Sequence, residues 1–110
     1  MTDDGFYPLI GAEEVKEGEL TAVDATPATF GRSLLLTRYE GKPLAFAGRC
    51  PHAGAKFDAD SLHRWKLTCP DHDYCFDIRS GRILWPVDEM VRLRRYEVRE
   101  EGGQLFVKLL

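Results

Sequence analysis

The chain has 110 residues, 44% hydrophobic and 30% charged, with a formal net charge of −3. That length supports one core and one domain, and charges of both signs are interspersed without a basic face, which excludes a nucleic-acid binder. No apolar run approaches the ~20 residues of a membrane span, and the acidic start Met1-Thr2-Asp3-Asp4-Gly5 has no signal-peptide layout, so a cytoplasmic location without membrane contact is expected.

In chain order, Phe6 to Ile10 reads as a first strand and Ala12 to Glu17 as a turn ended by Gly18. Glu19 to Asp24 alternates weakly and reads as a strand, followed by a loop at Thr26-Pro27-Ala28-Thr29. Arg32 to Tyr39 is the clearest strand of the first half. Glu40-Gly41-Lys42-Pro43 makes a tight turn, and Leu44 to Ala47 returns as the hairpin partner.

Trp65 to Thr68 and Cys75 to Ile78 read as short strands, Ser80-Gly81 as a turn, and Arg82 to Leu84 as a strand broken by Trp85-Pro86. Leu93 to Arg99 and Gln104 to Leu109 alternate on either side of Glu101-Gly102-Gly103 and predict a closing hairpin. Many short strands between Gly and Pro turns, with almost no helix, predict an all-β sandwich or barrel. Residues 1–47 and 87–110 would form its base, and residues 48–86 an insert, within one domain over 1–110.

The insert carries the chemistry. Cys50-Pro51-His52 and Cys69-Pro70-Asp71-His72 each offer one thiolate and one imidazole. Three cysteines, an odd number, do not suit a secreted disulfide scaffold, and cysteines close to histidines in a reducing compartment point to metal. Zinc accepts two Cys and two His, but zinc fingers group like ligands. One Cys and one His in each segment suits a two-iron cluster with chemically different irons. A structural zinc site stays open as the alternative.

The flanking residues resemble those of Rieske-type ferredoxins. Cys50-Pro51-His52-Ala53-Gly54 resembles the family's C-P-H-x-G, and Cys69-Pro70-Asp71-His72 its C-P-x-H. Phe76-Asp77-Ile78-Arg79-Ser80-Gly81 resembles the F-D-x-x-[TS]-G turn, and Pro86 sits where the family places a proline loop. The resemblance implies a Rieske-like antiparallel base with an inserted cluster-binding subdomain. It implies a 2Fe–2S cluster with Cys50 and Cys69 on one iron and His52 and His72 on the other.

Two further cysteines mark the Rieske proteins of membrane cytochrome complexes, and the corresponding positions here are Ala55 and Asp71. Those proteins also place serine and tyrosine hydroxyls near the cluster, where this chain has Tyr74 and Phe76. Phe76 donates nothing, so a low potential and the soluble subtype are expected. Asp73 stands where the family commonly has Gly, and Asp tolerates left-handed backbone. Cys75 reads as a small buried strand residue, His63 as solvated and Trp65 as packing the insert; Trp85 reads as a core residue or, beside Pro86, as part of an apolar collar around the exposed histidines.

The resemblance implies a one-electron carrier rather than an enzyme. Its partners would be an NAD(P)H-dependent flavoprotein reductase and a terminal oxygenase, with the carrier itself a monomer. An electron-transfer subunit of another oxidoreductase, such as a nitrite-reductase-like complex, is the alternative. A Rieske oxygenase would need a second iron held by two histidines and a carboxylate, and only His63 is left unassigned.

Overall fold

The computed structural model describes residues 5–23, 33–51, 56–71 and 73–108. Two antiparallel sheets organise them. The larger contains β1 (Phe6–Gly11), β2 (Thr21–Val23), β3 (Leu34–Tyr39), β4 (Lys42–Ala47), β9 (Arg95–Glu101) and β10 (Gln104–Lys108). Its order is β1-β10-β9-β4-β3-β2, curled into a half-barrel. The smaller is formed by β5 (Leu62–His63), β6 (Lys66–Thr68), β7 (Cys75–Asp77) and β8 (Ile83–Trp85), in sequence order. The all-β expectation is borne out.

Two hairpins of the larger sheet close through two-residue turns with positive φ at both positions. Glu40 and Gly41 have φ of 53° and 80°, and Gly102 and Gly103 have 58° and 77°. That geometry matches the right-handed twist of the flanking strands. Glu40 tolerates it because the Glu17 carboxylate accepts the N–H groups of Glu40 and Gly41, at 2.7 and 3.0 Å. Lys42 and Pro43, expected in the turn, therefore belong to β4.

The run Leu34-Leu35-Leu36 lacks alternation because β3 is covered on both faces. Leu34 and Leu36 join Ala12, Val15, Ala45, Tyr96, Leu105 and Val107 in one core. Leu35 and its cross-strand partner Phe46 turn the other way. They meet Phe57, Leu67, Phe76, Ile78 and Leu93 in a second core, which also contains Cys50 and Cys69. The expected turn after β1 is a 3-10 turn, Ala12–Glu14. A second, Ala59–Ser61, was not foreseen; Asp58 caps it, accepting from the Asp60 N–H at 2.9 Å and the Ser61 hydroxyl at 3.2 Å.

Candidate metal centre

The first predicted ligand segment leaves the end of β4 and returns beside it. Arg49 and Lys56 form an antiparallel bridge, and the Phe57 N–H reaches the Gly48 carbonyl at 3.4 Å. Cys50 stands just inside this neck and is 2% exposed.

The second segment connects β6 to β7. Thr68 pairs with Cys75, the Cys69 N–H donates to the Tyr74 carbonyl at 2.7 Å, and the Asp73 N–H donates to the Cys69 carbonyl at 3.0 Å. Asp73 adopts φ of 58°, so it supplies the left-handed backbone at the position where glycine is common. Cys69 is fully buried.

The structure thus brings the two predicted cysteine ligands into one core, neither of them in a disulfide. Ionised sulfur in such surroundings needs a cation close by, so this half of the ligand set fits an iron site. His52 and His72, with Ala53, Gly54 and Ala55, lie outside the described residues. Among the described residues no group of three or more His, Cys, Asp or Glu side chains converges. Cys75 is half-buried on β7, more exposed than expected.

The turn after β7 explains the F-D-x-x-S-G pattern. Phe76 is fully buried. Asp77 accepts the Arg79 N–H at 2.8 Å through Oδ1 and holds the Arg79 guanidinium at 3.0 and 2.8 Å. Its carbonyl takes the Gly81 N–H at 2.7 Å. The hydrogen bonds from Arg79 hold the Asp77 carboxyl below its ordinary value. The Arg79 guanidinium lies 4.8 Å from the Trp65 ring centroid and 5.8 Å from that of Tyr39, tying the small sheet to the β3–β4 hairpin.

Tyr74, at one of the two positions compared with the hydroxyl residues of other Rieske proteins, directs its hydroxyl to Glu89 Oε1 at 2.8 Å. That hydrogen bond first, then burial and neighbouring negative charge, raises the phenol above its ordinary value. Glu89 was missed from the sequence because nothing local marks a contact across 15 residues. Of the two readings of Trp85, core packing is not what the structure has: the side chain is 55% exposed, alongside Val87 and Met90. A register shift in the β7–β8 pairing, with Cys75 opposite Trp85 and Phe76 opposite Ile83, breaks the period-two alternation that would have buried it.

Residues 5–97 match the Rieske [2Fe-2S] domain. The chain belongs to the Rieske [2Fe-2S] family. It is 30% identical over 105 residues to the ferredoxin component of the naphthalene 1,2-dioxygenase system of Pseudomonas aeruginosa, covering 94% of this chain and 95% of that one. It is 33% identical over 101 residues to the ferredoxin component of the p-cumate 2,3-dioxygenase system of Pseudomonas putida, covering 90% and 81%.

Among solved structures, a Rieske-family fold recurs in the ferredoxin of Sphingomonas yanoikuyae B1, with a TM-score of 0.76 at 24% identity over 92% of this chain and 95% of that one. The terminal oxygenase of carbazole 1,9a-dioxygenase from Nocardioides aromaticivorans IC177 gives a TM-score of 0.79 at 30% identity. The match covers 96% of this chain and 30% of the oxygenase, so the chain spans less than a third of that protein. Family membership makes a Rieske-type 2Fe–2S cluster the cofactor. No helix among the described residues is long and apolar enough to cross a membrane.

Proposed function

We propose that this chain is a one-electron carrier, taking electrons from an NAD(P)H-dependent flavoprotein reductase and delivering them to a terminal oxygenase. The observation that carries this reading is its near end-to-end similarity to a ferredoxin component, 95% of which it covers. It is not itself the enzyme in this reading, and it works as a cytoplasmic monomer.

Cys50 and Cys69 would hold one iron and His52 and His72 the other, within residues 48–86, on a base of residues 1–47 and 87–110. The cluster supplies reversible Fe(III)/Fe(II) exchange when bound. The chain's own part is to bury the two sulfurs in an apolar core, to close both ligand segments with backbone hydrogen bonds, and to limit the donors near the sulfurs.

Spectroscopy of the purified protein, oxidised and reduced, tests the reading. A red-brown protein that takes up one electron and becomes paramagnetic, with a spectrum altered by His72→Cys, is the expected result. A colourless protein with stoichiometric zinc overturns it. Electron transfer from a flavoprotein reductase through this chain to an oxygenase, with turnover dependent on the chain, tests the partner assignment.

A further inference from the structure

Residues 86–90 form a strap whose two ends are both fixed close to the cysteine ligands. It begins after Trp85, which pairs with Cys75. It ends before Val91, which packs on the core that contains Cys50 and Cys69. Between these points Val87, Asp88, Glu89 and Met90 are exposed, and Val87 and Met90 keep 82% and 94% of their surface in water. Burial of these side chains therefore does little to hold the strap down.

A hydrogen bond between side chains does. The Tyr74 hydroxyl donates to Glu89 Oε1 at 2.8 Å, a neutral donor on a charged acceptor and so among the stronger kinds. The other end of that bond is rooted in the second ligand segment. The Tyr74 carbonyl accepts the Cys69 N–H at 2.7 Å, so the strap, Tyr74 and Cys69 are linked in series.

We propose that the Tyr74–Glu89 pair is a latch that fixes the strap against the second ligand segment and limits solvent access to it. Tyr74 and Glu89 are positioning residues in this role. Latched, the strap also sets where the exposed Trp85, Val87 and Met90 stand relative to that segment. The inference rests on the Rieske reading of the segment.

The test uses the cluster-loaded full chain with Tyr74→Phe, Glu89→Ala and Glu89→Gln. Two quantities are read: hydrogen–deuterium exchange of peptides spanning residues 84–91, by mass spectrometry, and the rate at which visible absorbance bleaches in air with a chelator. Tyr74→Phe and Glu89→Ala are expected to speed both by roughly threefold to tenfold, the range for losing one exposed charge-assisted hydrogen bond. Glu89→Gln keeps an acceptor oxygen but loses its charge, and is expected to fall between the parent and Glu89→Ala.

A coloured parent whose strap exchange is unchanged in Tyr74→Phe overturns the latch alone. Glu89→Gln matching Glu89→Ala also overturns it, because charge rather than the hydrogen bond would then be responsible. A lowered midpoint potential in Tyr74→Phe without faster strap exchange would place the hydroxyl at the cluster instead, and overturns it as well. A colourless parent overturns the Rieske reading beneath the proposal.

Discussion

The Gly81 carbonyl accepts the Leu93 N–H at 2.9 Å, and a Cβ built on Gly81 would lie 2.5 Å from the Leu93 carbonyl oxygen. This contact joins the turn after β7 to the segment leading into β9. Gly81 also has φ of 82°, which side chains rarely adopt. Gly81→Ala therefore combines backbone strain with a clash against main chain that cannot rotate away. A loss of about 3 kcal/mol or more is expected in urea denaturation, with the m-value unchanged.

Arg38 is the cross-brace of the larger sheet. Nε donates to the Val15 carbonyl at 2.7 Å and Nη2 to the Ala12 carbonyl at 2.9 Å. Nη1 reaches the Gly41 carbonyl at 3.3 Å and Glu100 Oε1 at 2.9 Å. The exposed ion pair contributes little; the part-buried carbonyl bonds contribute about 1 kcal/mol each. Arg38→Ala should cost about 2 kcal/mol in chemical denaturation. Arg38→Lys should recover only part of it, since an ammonium cannot reproduce the fork.

Thr37 is fully buried, and its hydroxyl has no hydrogen-bond partner among the described residues. Thr37→Val replaces that hydroxyl with a methyl group of similar size. A gain of up to about 1 kcal/mol is expected. A loss of similar size in the melting curve would show that the hydroxyl is satisfied.

Asp77 gives a pH dependence of known sign. Its folded-state value is lowered by Arg79 from the ordinary 3.8. Its contribution to stability is complete above that ordinary value and is lost as pH falls through the lower folded value. Denaturation midpoints measured from pH 7 down to pH 2 should show part of the acid destabilisation disappearing in Asp77→Asn. An unchanged difference between parent and variant across that range would count against the pairing.

The redox potential should fall toward the low end of the Rieske range, near about −150 mV. Phe76 has no hydroxyl, and that of Tyr74 is bonded to Glu89, so neither stabilises the reduced cluster as a hydroxyl donor would. A midpoint clearly above 0 mV in a redox titration at neutral pH would contradict this account.

Much of this was legible in the sequence where the signal is local. Cys50 and Cys69, singled out by their spacing to histidines, do meet in one core, and the F-D-x-x-S-G resemblance falls on a turn that Asp77 closes. The edges of strands were less legible because their limits depend on distant partners. Leu93 was expected to open β9, yet its N–H bonds Gly81 while the Arg94 carbonyl bonds Ala47, and β9 begins at Arg95. The choice between core and surface for Trp85 was not legible because a register shift leaves no mark on composition. His52 and His72, the other half of the expected ligand set, lie outside the described residues.

The strand pair β3–β4 is a party wall. Leu34, Leu36 and Ala45 face one core, while Leu35 and Phe46 face the core that contains Cys50 and Cys69. Excising residues 48–86 and joining the ends would strip Phe57, Leu67, Phe76 and Ile78 from Leu35 and Phe46 and open much of that face to water, an invitation to aggregate. The larger sheet is thus no vessel into which residues 48–86 can be freely dropped. Each side supplies the other's missing surface, and a lesion at Leu35 or Phe46 should be felt at Cys50 and Cys69.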